Sequence, residues 1–427
     1  MEEQWNNVEL TDLSKCKSYT LNHQYDGVKP QSITIKNNEA IKTEDCRGDN
    51  NEQNCEADHS GILKPGSKIK PEIQVEVVEA LVRRLYGITT NSIEDCISYD
   101  DRNFIIKEDP NMKNPLIVPH WPHGYVFKVL NALDSKKIDF VEAQNALMIF
   151  LSKNSIQCPK PVLNVNGKYH SIERINEDDH VVRLLEYIPG KMFHEVPKTN
   201  YLLYQSGEYI AKVDRAAKDF KHDAYETHKT TWMLHSVPNL RDFLYVLDAD
   251  YSHRQIIEDI IEAFEVNVLS KLDSFDMQII HGDYNEQNII VGKSRGGQDD
   301  EYKVVGIIDF GDTNKSPVIF EVGIAMAYMM LQARSLESGG VFLAGYTSIN
   351  PMSTEERQYL KYCVVARLAQ SLVMGTYTHT QDQTNEYVLV TQEYGWQLIE
   401  ELWREQFTKI DEIWQTAADK YLTQSDK

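Results

Sequence analysis

The chain has 427 residues, 44 of them basic and 65 acidic, for a formal net charge of −21. So acidic a balance argues against a role on nucleic acid, whose phosphates it would repel. With 41% hydrophobic and 26% charged residues the composition is that of an ordinary globular protein, and 14 prolines and 21 glycines exclude a collagen-like or repetitive design.

The length suits two or three domains or lobes. The longest apolar run, Val322 to Leu331, is about half of what a bilayer crossing requires, so no membrane span is expected. The opening Met-Glu-Glu-Gln-Trp lacks the basic flank and apolar stretch of a secretory signal, which makes the cytoplasm the expected location. Six cysteines lie far apart without zinc-ligand spacing and are expected to be reduced thiols without metal.

Residues 1–70 are rich in Asn, Gln, Asp, Glu and Lys and hold few clustered apolar side chains. They are expected to be a mostly disordered extension, because so little apolar burial cannot offset an ordering cost of roughly 1–2 kcal/mol per residue. Periodicity starts at Pro71, a residue suited to a first helical turn, and Ile73, Val77, Leu81 and Leu85 then repeat every four residues before Gly87, predicting an amphipathic helix with a glycine stop. Phe104 to Lys107, Gly124 to Leu130 and Val181 to Tyr187 read as strands, with Asn166-Gly167 as turn chemistry. After the second of these strands a helix carries Ala143, Ala146, Leu147 and Phe150 on one face. Residues 71–188 are thus expected to form a small α+β lobe.

Pro189-Gly190 marks the expected lobe junction, and residues 189–427 read as mainly helical. Leu360, Val364, Leu368 and Leu372 predict one helix, and Trp396, Ile399, Trp403, Phe407, Ile410, Ile413, Trp414 and Ala417 another. Three short apolar strands interrupt them, at Met277 to Ile280, Ile289 to Val291 and Val304 to Ile308. Between these strands lie His281-Gly282-Asp283-Tyr284-Asn285-Glu286-Gln287-Asn288 and, after a loop, Ile308-Asp309-Phe310-Gly311-Asp312. An Asp on a loop and an Asn five residues later can serve opposite ends of one reaction, an acceptor hydroxyl on one side and metal-bound phosphates on the other.

This string resembles the catalytic loop and metal-binding motif of kinases, in the form carried by the aminoglycoside phosphotransferase and choline kinase group, with Gly282 where a protein kinase carries Arg. The resemblance implies an α+β, bilobal, protein-kinase-like fold: a small N-terminal lobe with an antiparallel sheet and a larger, mainly helical C-terminal lobe. Asp283 would then be the catalytic residue that orients or deprotonates the acceptor hydroxyl, and Asn288 and Asp309 would hold Mg²⁺. Lys128 is the expected phosphate cation, paired with Glu142 on the following helix. Ser98 to Asn103 stands where such kinases carry a Gly-rich loop, so the Ser98 hydroxyl, Asn103 and local backbone N–H groups are expected to cap phosphates; the alternative is that Asp100-Asp101 merely forms a charged turn. Backbone groups of Glu186, Tyr187 and Ile188, between the lobes, are expected to hold the purine, although Glu186 itself also reads as a surface carboxylate. Trp121 and Trp232 read as packing anchors, and His281 as a brace for its loop.

Longer strings, Ser98 to Phe104, Ile307 to Leu331 and Ala369 to Met374, resemble the hydroxylysine kinase family from about Pro71 to Trp414. That resemblance implies transfer of a terminal phosphoryl group to the side-chain hydroxyl of 5-hydroxylysine, with GTP, or else ATP, as donor and a cationic amino acid as acceptor. Asp312 and Glu321 are then candidates for the substrate's ammonium groups and Arg367 for its carboxylate, with a helix N-terminal carboxylate as the other reading of Glu321. A kinase for another amino alcohol, of the choline or aminoglycoside type, and a nucleotide-binding pseudokinase are the alternatives.

Overall fold

A computed structural model describes residues 17–20, 63–112, 114, 116–117, 120–247, 251–294, 302–381, 383, 389 and 391–425. Most of the extension expected over residues 1–70 lies outside them. Within it, β1 (Lys17–Thr20) pairs antiparallel with β2 (Thr90–Cys96), a polar segment that carries no apolar-run signal.

Helix α1 (Val75–Tyr86) starts four residues later than Pro71 suggested and stops at Gly87, which takes φ 68° and donates its N–H to Arg83 O at 2.9 Å. Its buried face is Val78, Leu81, Val82, Leu85 and Tyr86, whereas Val77 is 44% exposed. A strict four-residue repeat drifts about 40° per step on a helix of 3.6 residues per turn, so the stripe expected from Ile73 onward cannot stay on one side.

Strands β3 (Arg102–Glu108) and β4 (Tyr125–Val129), helix α2 (Ile138–Lys153), and strands β5 (Ser171–Ile175) and β6 (Asp178–Glu186) complete the N-terminal lobe. The sheet is antiparallel in the order β1-β2-β3-β4-β6-β5. One face packs on α1 through Ile93, Phe104, Ile106, Phe127, Val129 and Leu184. Because side chains alternate along a strand, the opposite face presents Asn103, Lys128 and Arg183, which stand side by side in the β3-β4-β6 register.

The chain then passes through Gly190, where an added Cβ would lie 2.4 Å from Ile290 Cγ2 and 2.8 Å from Val291 O, so only glycine lets β7 (Lys191–Met192) pair so closely with the C-terminal lobe. That lobe comprises α3 (Asn200–Ala217), α4 (Ala224–Thr227), a run of 3₁₀ turns over Leu234–Leu247, α5 (Tyr251–Asn267), strands β8 (Met277–Ile280), β9 (Ile289–Lys293), β10 (Tyr302–Ile307) and β11 (Asn314–Pro317), and helices α6 (Val318–Ala333), α7 (Glu337–Ile349), α8 (Thr354–Arg357), α9 (Leu360–Gln381), α10 (Gln392–Arg404) and α11 (Phe407–Ser425). The apolar run Val322 to Leu331 is the buried body of α6, apolar on all sides because helices surround it. Among the described residues no helix is long and apolar enough to cross a membrane. The single helix expected from Trp396 to Ala417 is two, since Glu405 adopts an extended conformation (φ −85°, ψ 148°) and its carbonyl accepts a hydrogen bond from Lys361 Nζ. Cys158 and Cys363 are buried free thiols; Cys16, Cys46 and Cys55 lie outside the described residues.

Candidate active site

Lys128 projects from β4 into the cleft between the lobes. Its Nζ lies 2.9 Å from Asp309 Oδ1 and 3.1 Å from Asp101 Oδ2. Burial works against the charge, but these two carboxylates outweigh it and hold the ammonium above the usual lysine range. The expected partner Glu142 is not there. It is exposed and opens the outward stripe Glu142, Ala146, Ile149 and Lys153 of α2, spaced at helical period away from the core.

What α2 turns inward is a pair of neutral amides. Asn145 Oδ1 accepts from Arg183 Nη1 at 3.2 Å, and Gln144 Nε2 donates to Gly311 O at 3.0 Å, tying the helix to the turn that carries Asp309. Arg183 Nε, Asn145 Nδ2, Gln144 Oε1 and Asn103 Oδ1 are buried without a hydrogen-bond partner among the described residues. Such orphaned groups are costly unless a polar ligand meets them.

The loop His281 to Asn288 joins β8 to β9. Gly282 takes φ 77°, and a Cβ there would lie 2.5 Å from both Asn314 Nδ2 and Asp312 O, so the glycine found in place of the kinase Arg is sterically required. Its N–H donates to Glu321 Oε2 at 3.0 Å. His281 Nε2 donates to Ile308 O at 3.1 Å, which fits its expected role as a brace; burial keeps the ring below the usual histidine pKa and therefore neutral.

Asp283 is held from both sides. Asn288 Nδ2 donates to its Oδ2 at 2.8 Å, and Arg367 Nη2 to its Oδ1 at 2.5 Å. Arg367 is 1% exposed, and the rest of its guanidinium is spent on Tyr328, Gln370 and the Trp232 carbonyl. Its planar fork lies 5.0 Å over the Trp232 ring and 5.4 Å over Tyr328. Arg367 therefore positions the loop carboxylate, and the expectation that it takes a substrate carboxylate is corrected. Glu321 is corrected likewise: it is fully buried, its carboxyl pushed up to about 7 by that burial although the backbone N–H groups of Gly282 and His281 favour the charge. A carboxylate so placed buttresses the loop and cannot reach an acceptor.

Asp309 sits in the left-handed region, φ 60°, and its Oδ1 accepts from Gly311 N at 3.1 Å as well as from Lys128. Burial alone would raise its carboxyl, but Lys128 holds it down to about 2, so it is charged at neutral pH. With Asn288 spending its nitrogen on Asp283, the remaining oxygens of Asn288 and Asp309 form a hard, oxygen-only donor set. It fits a cation such as Mg²⁺, which takes few protein ligands and fills the rest with phosphate and water.

The hairpin between β2 and β3 closes the cleft. Ser98 Oγ donates to Asp101 O at 2.5 Å, so its hydroxyl serves the turn itself and not a phosphate, and Tyr99 reaches over to α9, hydrogen-bonding Met374 O at 3.1 Å and Thr378 Oγ1. Asp101 is thus more than a charged turn. Asp100 is raised by burial and by the charges of Asp101, Asp134 and Asp312. Asp312, raised by burial and then by Asp283, accepts from Thr230 Oγ1 at 3.2 Å.

At the lobe connection both backbone groups of Tyr187 are engaged: its N–H donates to Gly124 O at 3.1 Å, and its carbonyl accepts from Trp121 Nε1 at 2.7 Å. Glu186 N–H donates to Lys160 O at 2.8 Å. The expected purine contacts thus narrow to groups other than these, with the buried Ile188 packed under Gly306. The sequence pattern does not single out Gln144, Asn145 or Arg183, and it gives Asp101 no lysine to meet. Only for Arg183 was a signal available, a charged residue inside an apolar strand.

Among solved structures, an amicoumacin kinase in complex with AMP-PNP and Ca²⁺ superposes with a TM-score of 0.58 at 15% identity, over 79% of this chain and 97% of that one. A microcompartment-associated aminopropanol kinase gives 0.56 at 14% identity over 82% and 98%. The pattern of the phosphotransferase enzyme family matches residues 120–356. Fold and site together define a bilobal, protein-kinase-like phosphotransferase that acts on a hydroxyl acceptor. Over 368 residues the chain is 34% identical to the hydroxylysine kinase of Xenopus laevis, spanning 83% of this chain and 96% of that protein; the Bos taurus hydroxylysine kinase is 31% identical over 362 residues, 82% and 95%. The chain belongs to the hydroxylysine kinase family within the phosphotransferase enzyme family.

Proposed function

We propose that this phosphotransferase moves the terminal phosphoryl group of a nucleoside triphosphate onto the side-chain hydroxyl of 5-hydroxy-L-lysine, with GTP as donor on family grounds and Mg²⁺ as the metal. The observation that carries the substrate is the alignment along 96% of a hydroxylysine kinase. The geometry supports the chemistry: Asp283 presents a carboxylate whose direction is set by Arg367 and Asn288, as a group that orients an acceptor hydroxyl and receives its proton must be. Asn288 and Asp309 would hold the magnesium, which when bound neutralises charge on the transferring phosphates. Lys128 shares that task once the phosphates displace Asp101 from it. Asp312, near the acceptor, favours a cationic substrate. The reading places the reaction in the cytoplasm, without nucleic-acid or membrane partners.

The test is a donor-by-acceptor panel on the purified protein: labelled GTP or ATP with Mg²⁺ against 5-hydroxylysine, choline, an aminoglycoside and aminopropanol. Phosphohydroxylysine as the dominant product, lost with EDTA and restored by Mg²⁺, is the expected result. Turnover of another acceptor with none of hydroxylysine overturns it. Asp283→Asn is expected to cost at least ~10²-fold in kcat, the lower end of general-base effects, and cell fractionation checks the location.

A further inference from the structure

Beyond Asp283 the same loop borders a cavity of about 200 Å³ that opens between the end of α6 and the start of α10, lined by Glu286, Leu331, Arg334, Thr391, Glu393 and Tyr394. This is smaller than the roughly 300–1,000 Å³ of clefts that take drug-sized ligands. It has room for the end of an amino acid, not for a polycyclic aminoglycoside.

Glu286 forms its inner wall. The residue is 7% exposed, and Oε2 is buried without a hydrogen-bond partner among the described residues. An isolated buried carboxylate is costly unless a cation or donor meets it. Burial pushes the group up to about 7; the Asp283 carboxylate adds to the rise, while Lys198 and Arg367 oppose it. Neither cation closes on Oε2: Lys198 Nζ is bonded to His194 O at 2.6 Å, and Arg367 is committed to Asp283, Tyr328, Gln370 and the Trp232 carbonyl. At the mouth, Arg334 Nη2 and Glu393 Oε2 pair at 2.5 Å with side chains 63% and 68% exposed, a plus-minus pair worth little to stability and cheap to open. The Tyr328 hydroxyl accepts from Arg367 Nε at 3.1 Å and feels the charges of both Asp283 and Glu286.

We propose that this cavity is the subsite for the α-amino-acid end of the acceptor, with Glu286 receiving the α-ammonium and Arg334 the α-carboxylate. The inference rests on the hydroxylysine reading and adds to it the residues that recognise an amino acid. An acceptor lying from Glu286 toward Asp283 presents its side-chain hydroxyl to the loop carboxylate, with the neighbouring terminal ammonium toward Asp312.

Steady-state kinetics on the full-length enzyme provide the test. Glu286→Gln is expected to raise the KM for 5-hydroxylysine by about tenfold or more, the order expected when a hydrogen bond to a charged group is lost, with kcat and the nucleotide KM held within about threefold. Arg334→Gln, a surface change that leaves the core intact, is expected to raise the KM for hydroxylysine but not for its decarboxylated analogue. An active wild type whose variants keep wild-type KM values overturns the subsite and leaves the hydroxylysine reading standing. A wild type that phosphorylates only other acceptors overturns the parent reading, and the amino-acid subsite with it.

Discussion

Arg367 Nη2 and Asp283 Oδ1 lie 2.5 Å apart, joining the middle of α9 to the loop between β8 and β9 across 84 residues of sequence. The guanidinium is 2% exposed and the carboxylate 18%, so water screens the pair little. Removing one member of such a pair strands the other. Arg367→Met is expected to lower stability by about 3 kcal/mol, the lower end for breaking a buried pair, and kcat by ~10²-fold, as loss of orientation does. Thermal unfolding and turnover measured together check this. In a double-mutant cycle with Asp283→Asn the two losses should be strongly non-additive; additive losses exclude the coupling.

The Lys128-Asp309 contact gives stability an acid limb. Asp309 ionises at about 2 in the folded chain, against about 3.9 for a free Asp. A depressed carboxylate pKa contributes stability that is present above the unfolded value and is lost as pH falls through the folded one. Urea midpoints at pH 5, 4, 3 and 2 are therefore expected to fall for the wild type and less steeply for Lys128→Met. Equal slopes in the two proteins contradict the contact.

Gly282 tolerates no side chain. At φ 77°, with Asn314 Nδ2 and Asp312 O each 2.5 Å from an added Cβ, Gly282→Ala combines a strained backbone with a clash. A loss of about 1–3 kcal/mol in unfolding free energy is expected, together with a kcat loss larger than for Ala at Gly167, where nothing lies within 4 Å of the added Cβ.

Glu321 should show the opposite pH sign from Asp309. Its carboxyl is raised to about 7 from an ordinary value near 4.3, so its contribution is fully present below the lower value and lost as pH rises through the upper one. Wild-type stability is expected to decline over that interval. Glu321→Gln flattens the decline without abolishing it, because Glu286 is raised into the same range. Denaturant titrations at pH 4.5, 6 and 7.5 decide the matter; an unchanged slope in the variant rules Glu321 out.

Much of the C-terminal lobe could be read from residue order alone. Met277 to Ile280 and Ile289 to Val291 fall within β8 and β9, Val304 to Ile308 overlaps β10 but runs one residue past its end, and Leu360 to Leu372 falls within α9, because period-2 and period-3.6 burial leave direct marks on a sequence. Strands β1, β2 and β5 left weaker marks: they are short or polar and owe their order to neighbours, as Thr90–Cys96 does to β3. Lys128 meets Asp309 and Asp101, and not the expected Glu142. Helical phase put Glu142 outside, and a hairpin fold brought Asp101 in.

Residue order by itself determined the chemical kinds at the site: a loop carboxylate and amide five apart, a second carboxylate after a strand, and a strand lysine. These follow from local spacing, which a chain carries wherever it goes. The tertiary structure alone decided how each charge is employed. Arg367 and Glu321, both candidates for touching substrate, are spent on the loop, while Glu286, unremarked in the string, lines a cavity with an unmet oxygen. Coulomb and desolvation energies depend on distance and burial, and neither is defined until segments far apart in the chain pack together.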